Sequence, residues 1–345
     1  MPGDIYPTIW FIVLGVMLTG YAILDGFDLG IGTILHLVGR NEGERSQAID
    51  SIGPVWNGNE VWLLAAGGSM AVAFPFLYAK AFSGLYLTLM LVLWMLILRG
   101  VSLEFRHQVA HPLWKEIWDI VFSVASFLLA LLFGVAVANV LRGVPQDAAH
   151  RFTATLTMLL NPFAILGGLL SVATLALHGA AYLATKTEGV VQQRARGVVA
   201  RMWFVVLLLV AAIVAYSFGV RPDYGANFVK WPYLWILPLI GVAALAALPG
   251  YARKGLDHKV FTCSAALIGG LLFSAGAGLY PRMLPVPYGH DASRDLTILN
   301  ASSSRYSQST ALVIFVIAIA IVAVYITHAY RTWAGKVSQE GGHYS

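Results

Sequence analysis

The chain has 345 residues, 58% of them hydrophobic and only 11% charged, with a mean hydropathy of +0.73 and a formal net charge of +5. A soluble domain carries about a quarter charged residues, so this composition excludes one and points to an all-α polytopic membrane protein. The basic residues are scattered through loops rather than massed on one face, which excludes a nucleic-acid groove, and a lone cysteine, Cys263, excludes an intrachain disulfide and a CxxC metal site.

Apolar runs of about 20 residues match a hydrocarbon core about 30 Å thick. Nine spans are predicted, at 8–37, 55–75, 79–103, 116–141, 158–185, 198–219, 232–250, 260–280 and 310–333. The first run has no basic flank ahead of it and flows into an Asp-Gly motif, so it is expected to be a retained span rather than a cleaved signal. Pro54, Pro75, Pro112, Pro162 and Pro281 fall at the joints, where helix-breaking residues belong. The runs at 8–37 and 79–103 exceed a bilayer's need and are expected to tilt or to extend past the lipid. The longest loop, 282–309, is polar and carries His290, Asp291, Arg294, Asp295 and Asn300. No loop is long enough for a soluble domain and no solenoid repeat is visible, so residues 1–345 are expected to form a single integral membrane domain. Loops after odd-numbered spans, together with the C-terminal tail, hold 14 of the 22 lysines and arginines. That bias predicts an N-terminus outside and a C-terminus in the cytoplasm.

Two stretches place charge where lipid is expected. The first is Tyr21-Ala-Ile-Leu-Asp25-Gly-Phe-Asp28-Leu-Gly-Ile-Gly32, the second Gly53-Pro54-Val-Trp56-Asn57-Gly58-Asn59-Glu60-Val-Trp62. Asp25 and Asp28 are three apart and share a helix face, as do Asn57 and Glu60. A carboxylate at the centre of a membrane helix costs about 2.5–3.5 kcal/mol on insertion scales, so three of them need partners, water or a proton to carry. Under the predicted topology both clusters face the cytoplasmic leaflet, which is the geometry of proton uptake. The alternative is structural: Asp25 and Asp28 pair with Arg40, Arg99 or Arg106, or accept backbone N–H groups. Gly26, Gly30, Gly32, Gly67, Gly68, Gly167 and Gly168 give small-residue spacing for close helix packing. Trp56 and Trp62 are read as interfacial anchors or as the lining of a passage for a small apolar molecule. His178, inside a span, is the one candidate haem ligand, without a second to face it. Arg99 and Glu104 are read as an anchoring or snorkelling pair at the end of the third span. No phosphate loop or dinucleotide fingerprint occurs. Two function classes remain: a proton-coupled transporter using Asp25, Asp28 and Glu60 as carriers, and a subunit of a membrane redox complex.

The two motifs resemble those of subunit II of the cytochrome bd quinol oxidases. The resemblance continues through Phe74-Pro-Phe-Leu-Tyr-Ala-Lys-Ala-Phe-Ser-Gly84, Arg99 to Arg106, Gly134-Val-Ala-Val-Ala-Asn139 with Gly143-Val-Pro145, Asn161-Pro-Phe-Ala-Ile-Leu-Gly-Gly168 and His178-Gly-Ala-Ala-Tyr182. It implies nine transmembrane helices in two four-helix bundles plus one peripheral helix. It implies a bacterial inner-membrane heterodimer with a homologous subunit I, which carries haems b and d and the quinol site, while this subunit is haem-free. The complex would oxidise quinol and reduce dioxygen to water. The implied roles of this chain are to stabilise the haem subunit, to contribute to a proton path, and to line an oxygen route or hold a structural quinone. A small single-helix subunit is a further implied partner. The family's acid in its Trp-Asp-Gly-Asn pattern falls on Asn57 here, and an amide gives up no proton at physiological pH. The proton-path candidates are therefore Asp25, Asp28 and Glu60 beside Asn57, and the candidates for the oxygen route or subunit interface are Trp56 and Trp62.

Overall fold

The computed structural model describes residues 5–147 and 149–337. In chain order its helices are α1 (Tyr6–Val38), α2 (Glu42–Asp50), α3 (Trp56–Ala73), α4 (Pro75–Gly84), α5 (Tyr86–Phe105), α6 (Pro112–Arg142), α7 (Leu156–Leu159), α8 (Pro162–Lys186), α9 (Gly189–Val220), α10 (Ala226–Lys230), α11 (Ile236–Arg253), α12 (Asp257–Leu279) and α13 (Arg305–Thr332). A short antiparallel ribbon pairs β1 (Arg282–Leu284) with β2 (Leu296–Thr297). The architecture is all-α and polytopic, as the composition requires. Among the described residues eight helices are long and apolar enough to cross a bilayer, and the bent pair α3–α4 makes a ninth if counted as one span.

That bend is the main departure from the predicted spans. Instead of one run to residue 75 and a long span from 79, α3 stops at Ala73 and α4 leaves at 118° to it. Pro75 has no N–H to donate and its ring disfavours helical backbone at Phe74, so the break falls there. The break frees the Ala73 carbonyl, which accepts from the Ser303 amide at 2.9 Å and from Gln308 Nε2 at 3.0 Å. The third span thus begins at Tyr86, and a separate turn precedes α8. α9 begins at Gly189 rather than 198, so its polar first turns continue as helix beyond the apolar run.

α1 and α8 form the centre of the fold. α1 packs on α3, α6, α8 and α12, and α8 on α6, α9 and α12; α11 pairs with α12, α5 lies on α6, and α13 leans on α3 and α1. The central crossing is backbone on backbone. A Cβ on Gly30 would lie 1.9 Å from the Leu175 carbonyl oxygen, and one on Gly179 2.5 Å from the Ile31 nitrogen. Only glycine allows that approach. At the end of α6, Gly143 has φ +96° and its missing side chain leaves room for the Val286 carbonyl.

The two ends are built differently. One is loop-rich, with Trp10, Phe74, Leu159, Met283 and Leu296 packed together and Arg282 bridging Asp223 at 2.6 Å and Asp295 at 3.1 Å. The other, the ionic end, ties helices to one another through ion pairs. Asn41 caps α2 by accepting from the Glu44 amide at 2.9 Å. Asp119 on α6 is fully buried and accepts from Arg106 Nε at 2.6 Å and Arg45 Nε at 2.8 Å. Arg45 also pairs with Glu116, and Lys115 with Glu42. Glu44 binds Arg194 of α9 at 2.5 Å and the Arg40 amide at 2.7 Å. The Val337 amide donates to the Lys186 carbonyl at 2.8 Å, and Gln47 Nε2 donates to the Val337 carbonyl at 2.8 Å. α2 is therefore riveted to α6 and α9, and the stretch after α13 to α2 and α8.

Candidate functional site

The second half of α1, from Asp25 to Gly32, is buried throughout. Gly26 and Gly30 turn one face onto α8, where Leu175 fills the space a side chain would need. Asp25 and Asp28 lie on the nearly opposite face, by the 100° step of a helix, and meet residues from α3 and α5.

Arg99 of α5 is the cation of this site and is fully buried. It grips Asp25 bidentately, with NH1 donating to Oδ2 at 2.9 Å and NH2 to Oδ1 at 2.6 Å. The same NH2 lies 3.5 Å from Asp28 Oδ2. The fork geometry of guanidinium and carboxylate makes this the strong type of buried pair. The reading of Arg99 as a snorkelling partner of Glu104 is corrected: Glu104 is exposed, and Arg99 points inward to α1. Of the three arginines proposed as partners for the aspartates, Arg106 is bound to Asp119, and Arg40 stands near the ionic end with its guanidinium exposed.

α3 supplies the next contact, from a residue the sequence reading passed over. Asn59 is fully buried; its Nδ2 donates to Asp28 Oδ2 at 2.9 Å, and its Oδ1 accepts from the Tyr330 hydroxyl of α13 at 2.8 Å. Asn57 is exposed on the other side of the helix and Glu60 is half-buried between the two. Two residues along a helix is a turn of about 200°, so Asn57 and Asn59 must point apart. Glu60 is within electrostatic reach of Arg99 and Asp25. The remaining oxygen of Asp28, Oδ1, is buried and accepts no hydrogen bond. The site thus holds two fully buried carboxylates, a third half-buried one and one arginine.

The tryptophans take separate places. Trp56 is buried with its ring against Gly100 of α5. Trp62 lies over Gly20 of α1, where a Cβ would collide with the indole at 2.3 Å. With Met17, Ala65, Phe315 and Ile319 it lines an apolar cavity of 190 Å³ between α1, α3 and α13. On the outward side of α3, Gly67 and Gly68 would place a Cβ in open space. Their small-residue packing has no partner helix among the described residues.

His178 is the candidate haem ligand. It is fully buried; Nε2 donates to the Ile23 carbonyl at 2.9 Å and Nδ1 meets Ser264 Oγ at 2.7 Å. Its ring stacks on Phe261 at 4.7 Å. Both nitrogens are engaged in joining α8 to α1 and α12, so the residue does not fit an axial ligand.

Comparison with known proteins agrees with this architecture along its length. The description "Cytochrome bd terminal oxidase subunit II" belongs to the family whose sequence profile matches residues 6–333. Cytochrome bd-I ubiquinol oxidase subunit 2 of Escherichia coli K12 is 32% identical over 96% of this chain and 95% of its own length. Cytochrome bd ubiquinol oxidase subunit 2 of Bacillus subtilis 168 is 35% identical over 87% of each chain. A chain of the bd oxidase structure from Geobacillus thermodenitrificans shares the fold, with a TM-score of 0.77 over 96% of this chain and 99% of that one at 17% identity. With buried acids on α1, an arginine on α5 to receive them and relatives matching nearly end to end, the chain belongs to the cytochrome bd terminal oxidase subunit II family.

Proposed function

We propose that this chain braces the haem-bearing subunit of a quinol:oxygen oxidoreductase and lends it a proton route built from Glu60 and Asp28. The protein is a multi-pass component of a bacterial inner membrane, within an enzyme complex that couples quinol oxidation to oxygen reduction. In this reading the ionic end faces the cytoplasm and the N-terminus faces out, as the lysine and arginine bias predicts.

The observation that carries the reading is the uneven satisfaction of Asp28. Arg99 gives its bidentate grip to Asp25 and only a longer 3.5 Å contact to Asp28, Asn59 holds one oxygen of Asp28, and the other oxygen accepts no hydrogen bond. One arginine faces two carboxylates, so the charge count leaves Asp28 as the place for a proton. Asp25 and Arg99 fix its position, and Tyr330 locks the Asn59 amide so that Nδ2 rather than Oδ1 faces it. Glu60, half-exposed one turn from Trp56, gathers protons from the cytoplasmic side and passes them across water to Oδ1. The outward face of α3, with the amide of Asn57 and the open glycines Gly67 and Gly68, suits a covering helix from the partner better than lipid, because an uncovered amide in hydrocarbon is costly. Haems on the partner supply oxygen binding and electron transfer.

The test is turnover per haem. Asp28→Asn and Glu60→Gln remove a proton carrier without changing side-chain size. At least one of them is expected to slow oxygen consumption by more than it lowers haem content. Unchanged rates per haem in both would leave the residues a structural role alone.

A second role rests on the Trp62 cavity. Its apolar lining and 190 Å³ volume accommodate dioxygen, which partitions well into apolar surroundings. Ala65→Phe would fill it, and is expected to raise the KM for oxygen while leaving the maximal rate intact.

A further inference from the structure

We infer that the groove between the end of α1 and the start of α9 is a binding site for the phosphate of an anionic membrane lipid. The groove has a volume of 390 Å³ and is rimmed by Arg40, Arg194, Arg201 and Gln193, with Leu37 and Val198 among its walls. It shares no residue with the buried acids of α1, and it does not depend on the proton route.

The argument begins with α9. Its helix starts at Gly189, well before the apolar run, so its first turns stand out of the hydrocarbon at headgroup level. On one face of this projection lie Val190, Gln193, Arg194, Gly197, Val198 and Arg201, at helical spacings of three and four. Arg194 and Arg201 are two turns apart, about 10 Å along the axis. The lower arginine therefore sits where the hydrocarbon begins and the upper one in the headgroup layer. Gly197 between them would place a Cβ in open space, so it keeps the groove floor clear.

Charge then decides the ligand. Arg194 is spent on Glu44 and on the Val38 carbonyl. Arg40 and Arg201 form no ion pair among the described residues, and both are exposed. The neighbouring Arg196 is taken by Asp257 and faces elsewhere. Glu44, which is not among the residues that line the groove, accepts from both Arg194 and the Arg40 amide at Oε2. The groove therefore presents two unspent guanidiniums, the group that best matches the paired oxygens of a phosphate. Basic pockets between helices on the cytoplasmic side are where lipid headgroups dock. Leu37 and Val198, on the side of Arg40 and Arg194 nearer the apolar runs, give the groove an apolar wall toward the bilayer. That wall suits the acyl chains of a lipid and has no use for a free phosphate ion.

The experiment uses the intact oxidase complex, purified in detergent and stripped of lipid. Fluorescent phosphatidylglycerol is titrated onto it, with phosphatidylcholine of the same chains and inorganic phosphate as competitors. The parent complex should bind phosphatidylglycerol in preference to phosphatidylcholine, and millimolar inorganic phosphate should not displace it. Each basic residue at a membrane surface strengthens attraction for anionic lipid by about fivefold. Arg40→Gln/Arg201→Gln should therefore weaken binding on the order of thirtyfold, while Arg40→Lys/Arg201→Lys should retain most of it. Haem absorbance per complex should stay unchanged in both, which separates lost binding from lost folding. Arg253→Gln/Lys254→Gln, which removes two exposed charges from the same end of the protein, should have little effect. The inference fails if that variant loses as much affinity as the groove variant. It also fails if inorganic phosphate displaces the lipid, or if phosphatidylcholine binds equally well.

Discussion

Replacing Arg99 with methionine removes the one cation from a site with two fully buried carboxylates. The bidentate grip on Asp25 and the longer contact with Asp28 vanish together. Both groups are shut off from solvent, so water cannot screen what remains. Removing one partner of a buried pair costs about 3–5 kcal/mol, chiefly because the other charge is stranded. A loss of that size lowers a melting midpoint by on the order of 10 °C in a chain of a few hundred residues. The assay is heating of the purified complex with haem absorbance and aggregation followed together. The physical account makes a second demand. Arg99→Met/Asp25→Asn/Asp28→Asn strands no charge, so it should melt well above the single variant even though it carries more changes. If Arg99→Met melts within about 2 °C of the parent, or if the triple variant melts as low as the single one, stranded charge is not what the arginine prevents.

Gly30→Ala drives a methyl group into the Leu175 carbonyl; overpacking of this kind costs about 1–3 kcal/mol, seen as a lower melting midpoint of the complex. Gly67→Ala meets nothing within the chain, so it should spare the subunit's own fold and instead reduce the amount of partner that co-purifies; equal recovery would place the partner elsewhere. His178→Gln should leave the reduced-minus-oxidised haem spectrum per complex unaltered, because the imidazole is occupied by Ile23 and Ser264; a missing haem band would reverse that assignment. The carboxyl groups of α2 predict an acid-sensitive attachment of this helix. A hydrogen bond from Lys115 holds Glu42 below the usual range, and for Glu44 burial is outweighed by the Arg40 amide and Arg194, so it too is held low. Groups depressed on folding stabilise above their unfolded value of about 4.3 and lose that contribution as pH falls through the folded one. Amide exchange in α2, corrected for intrinsic rate, should accelerate below about pH 4 before the spans respond.

Much of the fold was legible because lipid imposes a simple rule: a span must be apolar for its whole width. The paired aspartates were legible for the same reason, as charges where the rule forbids them. Their partner was legible only as one of three arginines, Arg40, Arg99 and Arg106, because position 99 also reads as the end of a span, and hydropathy cannot say whether an arginine at a helix end turns to water or inward. Asn59 was missed because Asn57 and Glu60 appeared as the polar pair of the motif. The signal was present: with Trp56 and Asn59 three apart, the buried face of α3 could run through the second asparagine rather than the first. Tyr330 could not be found at all, since nothing local links it to a residue 271 positions away. The break at Phe74 was half-legible, as a proline at a joint without the sharp angle it produces.

The separation of these partners along the chain has a consequence for biosynthesis. Arg99 is translated 74 residues after Asp25, and Tyr330 comes 271 residues after Asn59. At about 5–20 residues per second, the first helix waits roughly 4–15 s for its counterion, and the asparagine waits longer still for the tyrosine that orients it. A nascent first span therefore reaches the insertion machinery carrying two acids and no cation. It must linger in a wet or protein-lined channel, or be inserted with those acids protonated, until the fifth helix is made.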